Sequence, residues 1–155
     1  MKTSGTHLIC ELSGCDPVKL ASTTGIEQEM LAAAAAAHVL VLHGYVHQFA
    51  PTGVSGLLCL AESHLSIHTW PETGYAAVDI YTCGDSATPR KAVAHLAAAL
   101  GAAHQHITEI ARGERDASGH FVSAPAQPQP VAPDEPPATP GKPAPRKRFK
   151  PQPVD

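Results

Sequence analysis

The chain has 155 residues, of which 43% are hydrophobic and 16% are charged, and its formal net charge is −3 at pH 7. This length favours one domain with a buried core. Its apolar runs are too short to span a bilayer and its first residues lack the apolar segment of a signal peptide, so we expect no membrane partner and a cytoplasmic location.

The first half of the chain predicts three strands and one helix. Residues 7–11 predict a first strand, which turn residues at 13–17 close. Thr24 with Glu27 three positions later forms a capping box, and a run of six alanines follows, so we predict a helix to about His38. Residues 39–49, rich in β-branched and aromatic side chains, predict the next strand, and the apolar run at 54–60 predicts a third.

The second half continues with two strands, a helix and a final strand. Residues 65–70 alternate apolar with polar side chains, as a half-buried strand does. A turn at 71–74 leads into a predicted strand at 75–82. Thr88 is then predicted to cap a helix with Pro89 at the first helical position, and this helix runs to about Leu100, where Gly101 ends it. Residues 104–111 alternate again and predict the last strand.

The order β-α-β-β-β-β-α-β favours an α+β fold. We predict a two-layer sandwich in which two helices cover one face of a largely antiparallel sheet. The other face of the sheet then needs cover as well. We therefore expect a homodimer, in which two copies form a larger αββα sandwich.

The end of the chain differs in composition from the rest. Residues 124–155 contain eleven of the fifteen prolines, and five basic against three acidic residues, a net charge of +2 that leaves −5 for the rest. Burial in such a segment cannot offset the loss of chain entropy, so we predict a disordered tail after a folded domain at residues 1–123. We interpret the basic cluster at 146–150 as solubilising and expect no nucleic-acid partner.

The cysteines do not predict a disulfide framework or a structural zinc site. There are four of them, and none is spaced as Cys-x-x-Cys. Cys10 and Cys59 stand among apolar residues, so we predict that both are buried as small hydrophobic side chains.

Residues 61–72, AESHLSIHTWPE, concentrate serine, histidine and carboxylate side chains. On spacing alone Ser63 is most simply an ordinary strand residue, because no Gly-x-Ser-x-Gly motif and no assignable aspartate supports a hydrolase triad. His64 and His68 would share a metal only on a helix, since residues four apart in a strand are separated by about 13 Å. We therefore predict no metal site.

Four linked motifs nevertheless resemble those of the short prokaryotic S-adenosylmethionine decarboxylase proenzymes, which use a pyruvoyl group. In chain order they are GVSG at 53–56, ESHLSIHTWPE at 62–72, GYAAVD at 74–79 and YTCGD at 81–85. The resemblance covers about residues 7–111. Two positions depart from the family pattern, since Ser13 stands where a tyrosine is expected and Tyr81 where phenylalanine is usual.

The resemblance implies that the chain cleaves itself between Glu62 and Ser63. The Ser63 hydroxyl attacks the Glu62 carbonyl to form an ester, and loss of the Ser63 α-proton expels the Glu62 carboxylate. Hydrolysis then leaves a pyruvoyl group derived from Ser63 as the cofactor. Its keto carbon forms a Schiff base with the amine of S-adenosylmethionine and draws electrons as CO2 leaves, which yields the aminopropyl donor for spermidine synthesis.

The resemblance also implies roles for other residues near the cleavage site. His68 is the processing base, which suits a group that titrates near neutral pH. Ser55 supports the acyl shift, and Cys83 donates a proton to the substrate carbon after CO2 leaves.

The resemblance further implies that Glu72 and Phe49 hold the nucleoside, with Trp70 as another candidate. Taken without it, Glu72 is a turn residue, Phe49 a core residue and Cys83 a buried strand cysteine. Two other functions stay open. The same pyruvoyl mechanism could act on ornithine or arginine, or the chain could be a non-catalytic regulatory partner, which the presence of Ser63, His68 and Cys83 argues against.

Overall fold

The computed structural model describes residues 3–83, 87–122 and 129–130. Its elements are β1 (Gly5–Ser13), α1 (Pro17–Leu20), α2 (Thr23–Ala36), β2 (Val41–Gln48), β3 (Val54–Leu60), β4 (Ser63–Trp70), a 3-10 turn (Pro71–Thr73), β5 (Tyr75–Thr82), α3 (Pro89–Leu100), β6 (His104–Arg112) and β7 (Gln129–Pro130). No helix in these ranges has the length and apolar character needed to cross a membrane. The predicted α+β class is confirmed.

The strands form one sheet in the order β2-β3-β4-β5-β1-β6-β7, and each described pair of neighbours is antiparallel. β3, β4 and β5 form two successive hairpins. In the first, β3–β4, Leu60 pairs with Ser63, which leaves Ala61 and Glu62 as a two-residue loop. The bond between Glu62 and Ser63 therefore lies at the tip of the β3–β4 hairpin.

One face of the sheet is covered by α2 and α3 and contains the core. Side chains point to alternate faces along a strand, so Leu65 and Ile67 of β4 are buried beneath the helices together with Leu58 of β3 and Ile80 of β5. Burying a side chain of this size stabilises the fold by about 1.5–3 kcal/mol. The alternation that predicted half-buried strands in the sequence thus fixes which residues face the helices.

The opposite face, called here the outer face, has no helix against it in the described chain. It carries the remaining residues of the same strands, and several of these are apolar and exposed. Tyr45 of β2 is 66% exposed and Leu57 of β3 is 51% exposed. The candidate site residues His68 and Trp70 of β4 share this face with His64.

Four sequence predictions need correction. Ser22, and not Thr24, caps α2, because its side chain accepts a hydrogen bond from the Gly25 backbone N–H. Thr88 precedes α3 as predicted but makes no capping side-chain bond. α1 was missed, since its Asp-Pro start was interpreted as a turn. Cys59 is exposed and not buried, because it lies on the outer face of β3.

The predicted tail at 124–155 falls almost wholly outside the described residues. Within it only β7 is described, and its backbone pairs with Thr108 and Glu109 of β6. The domain boundary at residue 123 therefore stays a prediction.

Candidate active site

The hairpin tip that carries Glu62 and Ser63 lies beside the end of β5. Ser63 pairs with Thr82 across the β4–β5 ladder. The next residue, Cys83, donates its backbone N–H to the carbonyl oxygen of Glu62 over 3.3 Å. The structure thus brings Glu62, Ser63 and Cys83 together, and a hydrogen-bond donor points at the carbonyl of the bond between Glu62 and Ser63.

A chain of hydrogen bonds leads from Ser63 across the outer face. Ser63 Oγ lies 3.1 Å from His64 Nδ1, and His64 Nε2 lies 2.9 Å from Asp79 Oδ2. His7 Nε2 approaches the same carboxylate oxygen to 3.1 Å. Arg112 Nη1 completes the chain, 3.3 Å from His7 Nδ1.

Asp79 is the centre of this network. Ser66 donates to its second oxygen, Oδ1. Burial of Asp79 acts to raise its pKa, but the hydrogen bonds from Ser66, His7 and His64 outweigh burial and lower the pKa below its usual value. Asp79 is therefore a carboxylate at neutral pH, and its partners must be the proton donors.

The Cys83 side chain is half-buried against Tyr81 and β1. Its side-chain hydrogen bond with Tyr81, together with burial, raises the pKa of the Tyr81 phenol. The Arg112 guanidinium lies over the Tyr81 ring, 4.8 Å from its centroid. A side chain at Gly5 would begin only 2.9 Å from Cys83 Sγ, so the glycine leaves room for the thiol.

The other predicted site residues lie at the opposite end of β4. Ser55 and His68 face each other across the β3–β4 ladder, with Ser55 Oγ 2.6 Å from His68 Nδ1. Trp70 is 41% exposed and its ring is tilted against Tyr75 at 5.1 Å between centroids. The structure thus brings Ser55 and His68 into contact, while their separate roles in processing stay predictions.

Phe49 and Glu72 belong to this second group. The Phe49 backbone N–H donates to the Gly53 carbonyl oxygen, and Thr52 of the same loop is 3.5 Å from Glu72 Oε2. Phe49 is 49% exposed, so the alternative interpretation of Phe49 as a core residue is wrong. Its ring meets His47 edge-on at 4.6 Å.

One chain does not bring the two groups together. Ser63 and His68 are five positions apart in β4, which corresponds to about 16 Å between their Cα atoms in an extended strand. Neither side chain spans that distance. The predicted processing base and the predicted nucleophile of one chain are therefore held apart by the strand that carries both.

One trio in the described chain could hold a metal ion. His7, His64 and Asp79 each offer a ligand atom, and these atoms lie within 4.8 Å of one another. This trio differs from the His64–His68 pair considered in the sequence. That pair lies on strand β4 and not on a helix, so its side chains are too far apart to share a metal. In the structure both histidines hydrogen-bond to the same Asp79 oxygen.

Asp79 was not predicted as a site residue, because no aspartate could be assigned to a triad from the sequence. The available signal was the alternation of residues 75–82, which places Asp79 on the same face as Tyr81. It becomes informative only with the β4–β5 register, which pairs Ser66 with Asp79. Near the cleavage bond, Glu62 Oε2 is buried without a hydrogen-bond partner among the described residues.

The chain is similar in sequence to proteins of one known family. The sequence model of the family described as S-adenosylmethionine decarboxylase matches residues 6–113. An S-adenosylmethionine decarboxylase proenzyme of Thermococcus onnurineus is 49% identical over 113 residues, which are 73% of this chain and 80% of the relative. Its counterpart in Thermotoga petrophila is 46% identical over 119 residues, 77% of this chain and 92% of the relative.

A solved structure is similar as well. The crystal structure of the adenosylmethionine decarboxylase from Aquifex aeolicus VF5 superposes with a TM-score of 0.70 at 34% sequence identity, and the match covers 76% of this chain and 97% of that chain. The similarity in sequence and the similarity in fold therefore point to the same group of proteins.

Proposed function

The chain belongs to the S-adenosylmethionine decarboxylase family, and on that premise we propose that it releases CO2 from S-adenosylmethionine by means of a pyruvoyl group made from its own Ser63. One observation carries the proposal. Ser63 follows a two-residue hairpin loop, and the Glu62 carbonyl it must attack already accepts the Cys83 backbone N–H. The names of the relatives as proenzymes agree with a chain that is processed before it acts.

Self-cleavage needs a β-oxygen on the residue after the cleaved bond, and Ser63 supplies it. Attack of Ser63 Oγ on the Glu62 carbonyl carbon turns the amide into an ester. Removal of the Ser63 α-proton then breaks the Cβ–Oγ bond, with Glu62 leaving as a carboxylate. The resulting dehydroalanine hydrolyses and releases ammonia. The keto group so formed supplies an electrophile for the substrate amine and an electron sink for decarboxylation.

Cys83 is the proposed proton donor to the substrate carbon after CO2 leaves. Its position supports this role, because Cys83 follows Thr82, the residue that pairs with Ser63. The Cys83 thiol is half-buried and hydrogen-bonded with Tyr81, which orients it. A thiol in such a place can deliver a proton within the site.

We propose that a homodimer completes the site. The separation of about 16 Å along β4 prevents His68 from reaching Ser63 of the same chain. A second copy, packed on the exposed outer face, can bring its His68 and Ser55 to Ser63 of the first. Such packing also covers Tyr45 and Leu57 and gives the αββα sandwich. His68 from the partner would then remove the Ser63 α-proton.

Substrate binding belongs to the same end as His68 in this proposal. Glu72 offers acceptors for ribose hydroxyls, while the exposed rings of Phe49 and Trp70 offer faces for the adenine. The four cysteines are free, as is usual in a reducing cytoplasm. Residues 1–123 form the proposed catalytic domain, and 124–155 its tail.

The test combines intact mass with CO2 release. Purified full-length protein is expected as two polypeptides, the second beginning with a pyruvoyl group at position 63. The protein is offered S-adenosylmethionine, ornithine and arginine in parallel, and CO2 is expected from the first alone. An unbroken chain would contradict the cofactor, and release from ornithine or arginine would contradict the substrate. Size measurement in solution tests the dimer.

A further inference from the structure

We propose that His64 is the base for the first step of self-cleavage, taking the hydroxyl proton of Ser63, and that Asp79 and His7 position it. The inference rests on the proposed function, because it concerns the reaction that makes the cofactor. It separates the acyl shift from the later elimination and assigns the two steps to different histidines.

The positions of the protons in the network follow from its hydrogen-bond partners, beginning at Arg112. Arg112 has only donors, so His7 Nδ1, at 3.3 Å from the guanidinium, must accept. Neutral His7 then carries its proton on Nε2 and donates it to Asp79 Oδ2. Asp79 is ionised and can only accept, so His64 must likewise donate from Nε2.

In the neutral imidazole this assignment leaves the lone pair of His64 on Nδ1. That atom lies 3.1 Å from Ser63 Oγ, which is within the reach of a general base. Serine can donate its hydroxyl proton, and neutral His64 can only accept at Nδ1. Asp79 in turn stabilises the imidazolium that forms when the proton arrives. A serine, a histidine and an aspartate are thus joined in series, although no such triad was assignable in the sequence.

The electrophile is prepared on the other side of Ser63. The Cys83 backbone N–H donates to the Glu62 carbonyl oxygen over 3.3 Å, where negative charge develops during attack. Oγ bonds to the Glu62 carbonyl carbon as its proton passes to His64 Nδ1. The C–N bond to Ser63 then breaks, and His64 returns the proton to the leaving nitrogen. The products are an ester and an amine, and no co-reactant is needed.

The two histidines of β4 therefore have separable tasks. His64 follows Ser63 directly and contacts its hydroxyl. His68 lies about 16 Å away along the strand and can act only from a partner chain. His64 needs no partner for the acyl shift, whereas elimination waits for the dimer.

The experiment uses hydroxylamine, which cleaves esters and leaves ordinary amides intact under mild conditions. Full-length His68→Ala should stop after the acyl shift, so hydroxylamine should cut it into two pieces, the second with Ser63 at its N-terminus. Full-length His64→Ala/His68→Ala should form ester at least about 100-fold more slowly and stay uncut. His68→Ala/His106→Asn is the matched control, because His106 is exposed on the outer face of β6. It should be cut like the parent.

Asp79 is tested as a positioning residue in the same His68→Ala background. Asp79→Asn cannot accept from His64 in the same way and should slow ester formation, while Asp79→Glu keeps a carboxylate and should restore part of the rate. Equal rates for the two variants would overturn the positioning role. Circular dichroism checks folding, and His64→Asn, which keeps a polar group but has no basic nitrogen, replaces any His64→Ala variant that fails to fold.

The outcomes distinguish the inference from the proposed function. If wild-type protein stays in one piece, the proposed function fails. If wild type splits but the His64 variants build ester at the parent's rate, only the inference fails. Ester formation that stops with EDTA and returns with Zn2+ would also overturn it, because His7, His64 and Asp79 would then be metal ligands.

Discussion

The two ends of β4 hold their candidate site residues in different ways. The Ser63 end is tied to β5 and β1 by a network of half-buried side chains around Asp79. The His68 end is more exposed, with His68 and Trp70 open on the outer face and linked to neighbours by a few contacts. The Ser63 end has its partners within the chain, whereas in the proposed dimer the His68 end would present its groups to a second copy.

This difference shows how a small sheet can hold a two-part active site. A strand fixes the spacing of its residues, so groups at its two ends cannot meet in one copy. In the proposed homodimer a two-fold axis can remove this limit, if it places one end of β4 against the opposite end of β4 in the second copy. The network end can then be preorganised, and the exposed end can be completed by association.

The largest expected effect is at the nucleophile. Ser63→Ala removes the β-oxygen, so no ester can form, and we expect one full-length polypeptide and no CO2 release. Ser13→Ala, an exposed serine at the end of β1, should split normally. Intact mass and a radiolabelled carboxyl group measure both. Two polypeptides from Ser63→Ala would remove Ser63 from its role.

The proposed roles of the two ends of β4 are tested most directly by combining two defective chains in one dimer. Full-length Ser63→Ala and His68→Ala chains, each unsplit alone, are co-expressed with different tags. A mixed dimer holds one site with an intact Ser63 from one chain and an intact His68 from the other. We therefore expect the His68→Ala chain to split in mixed dimers while the Ser63→Ala chain does not. If no splitting returns, the two groups act within one chain or the dimer is different.

Much of the fold could be predicted because local sequence patterns indicate most of the strands and helices. Residues 65–70 and 75–82 alternate, and Pro89 and Gly101 mark the ends of α3. The apolar run at 54–60 was harder to interpret, since mostly apolar residues do not indicate which side chains face the core and which face outward. Cys59 was placed in the core for that reason, and only the pairing with β4 shows that it faces outward.

The site was less predictable than the fold. The motifs identify Ser63, His68 and Cys83 by resemblance, but proximity depends on register. Asp79 lies sixteen positions after Ser63 in the chain, and only the β4–β5 pairing links it to His64. The sequence likewise gives no measure of the distance between Ser63 and His68. That distance needs the strand to be established first.

A smaller effect is expected at Cys83, where the two functions of one residue can be separated. Cys83→Ala removes the thiol but keeps the backbone N–H on the Glu62 carbonyl, so the variant should still split. Its turnover should fall by about 100-fold or more, because the proton donor is lost. Cys59→Ala, an exposed cysteine on the same face, is the control. If Cys83→Ala failed to split, the thiol would be needed for self-cleavage and its assignment to turnover alone would be wrong.

The smallest predicted effect sharpens the division of labour at the His68 end. Glu72→Gln should split normally and retain kcat, while KM rises about tenfold, as expected when one charge-assisted hydrogen bond is weakened. Glu27→Gln, on α2 and away from the outer face, should leave KM unchanged. Steady-state kinetics on fully split protein measures both. A fall in kcat at constant KM would place Glu72 among the reacting groups, and the His68 end would then not be confined to binding and α-proton removal.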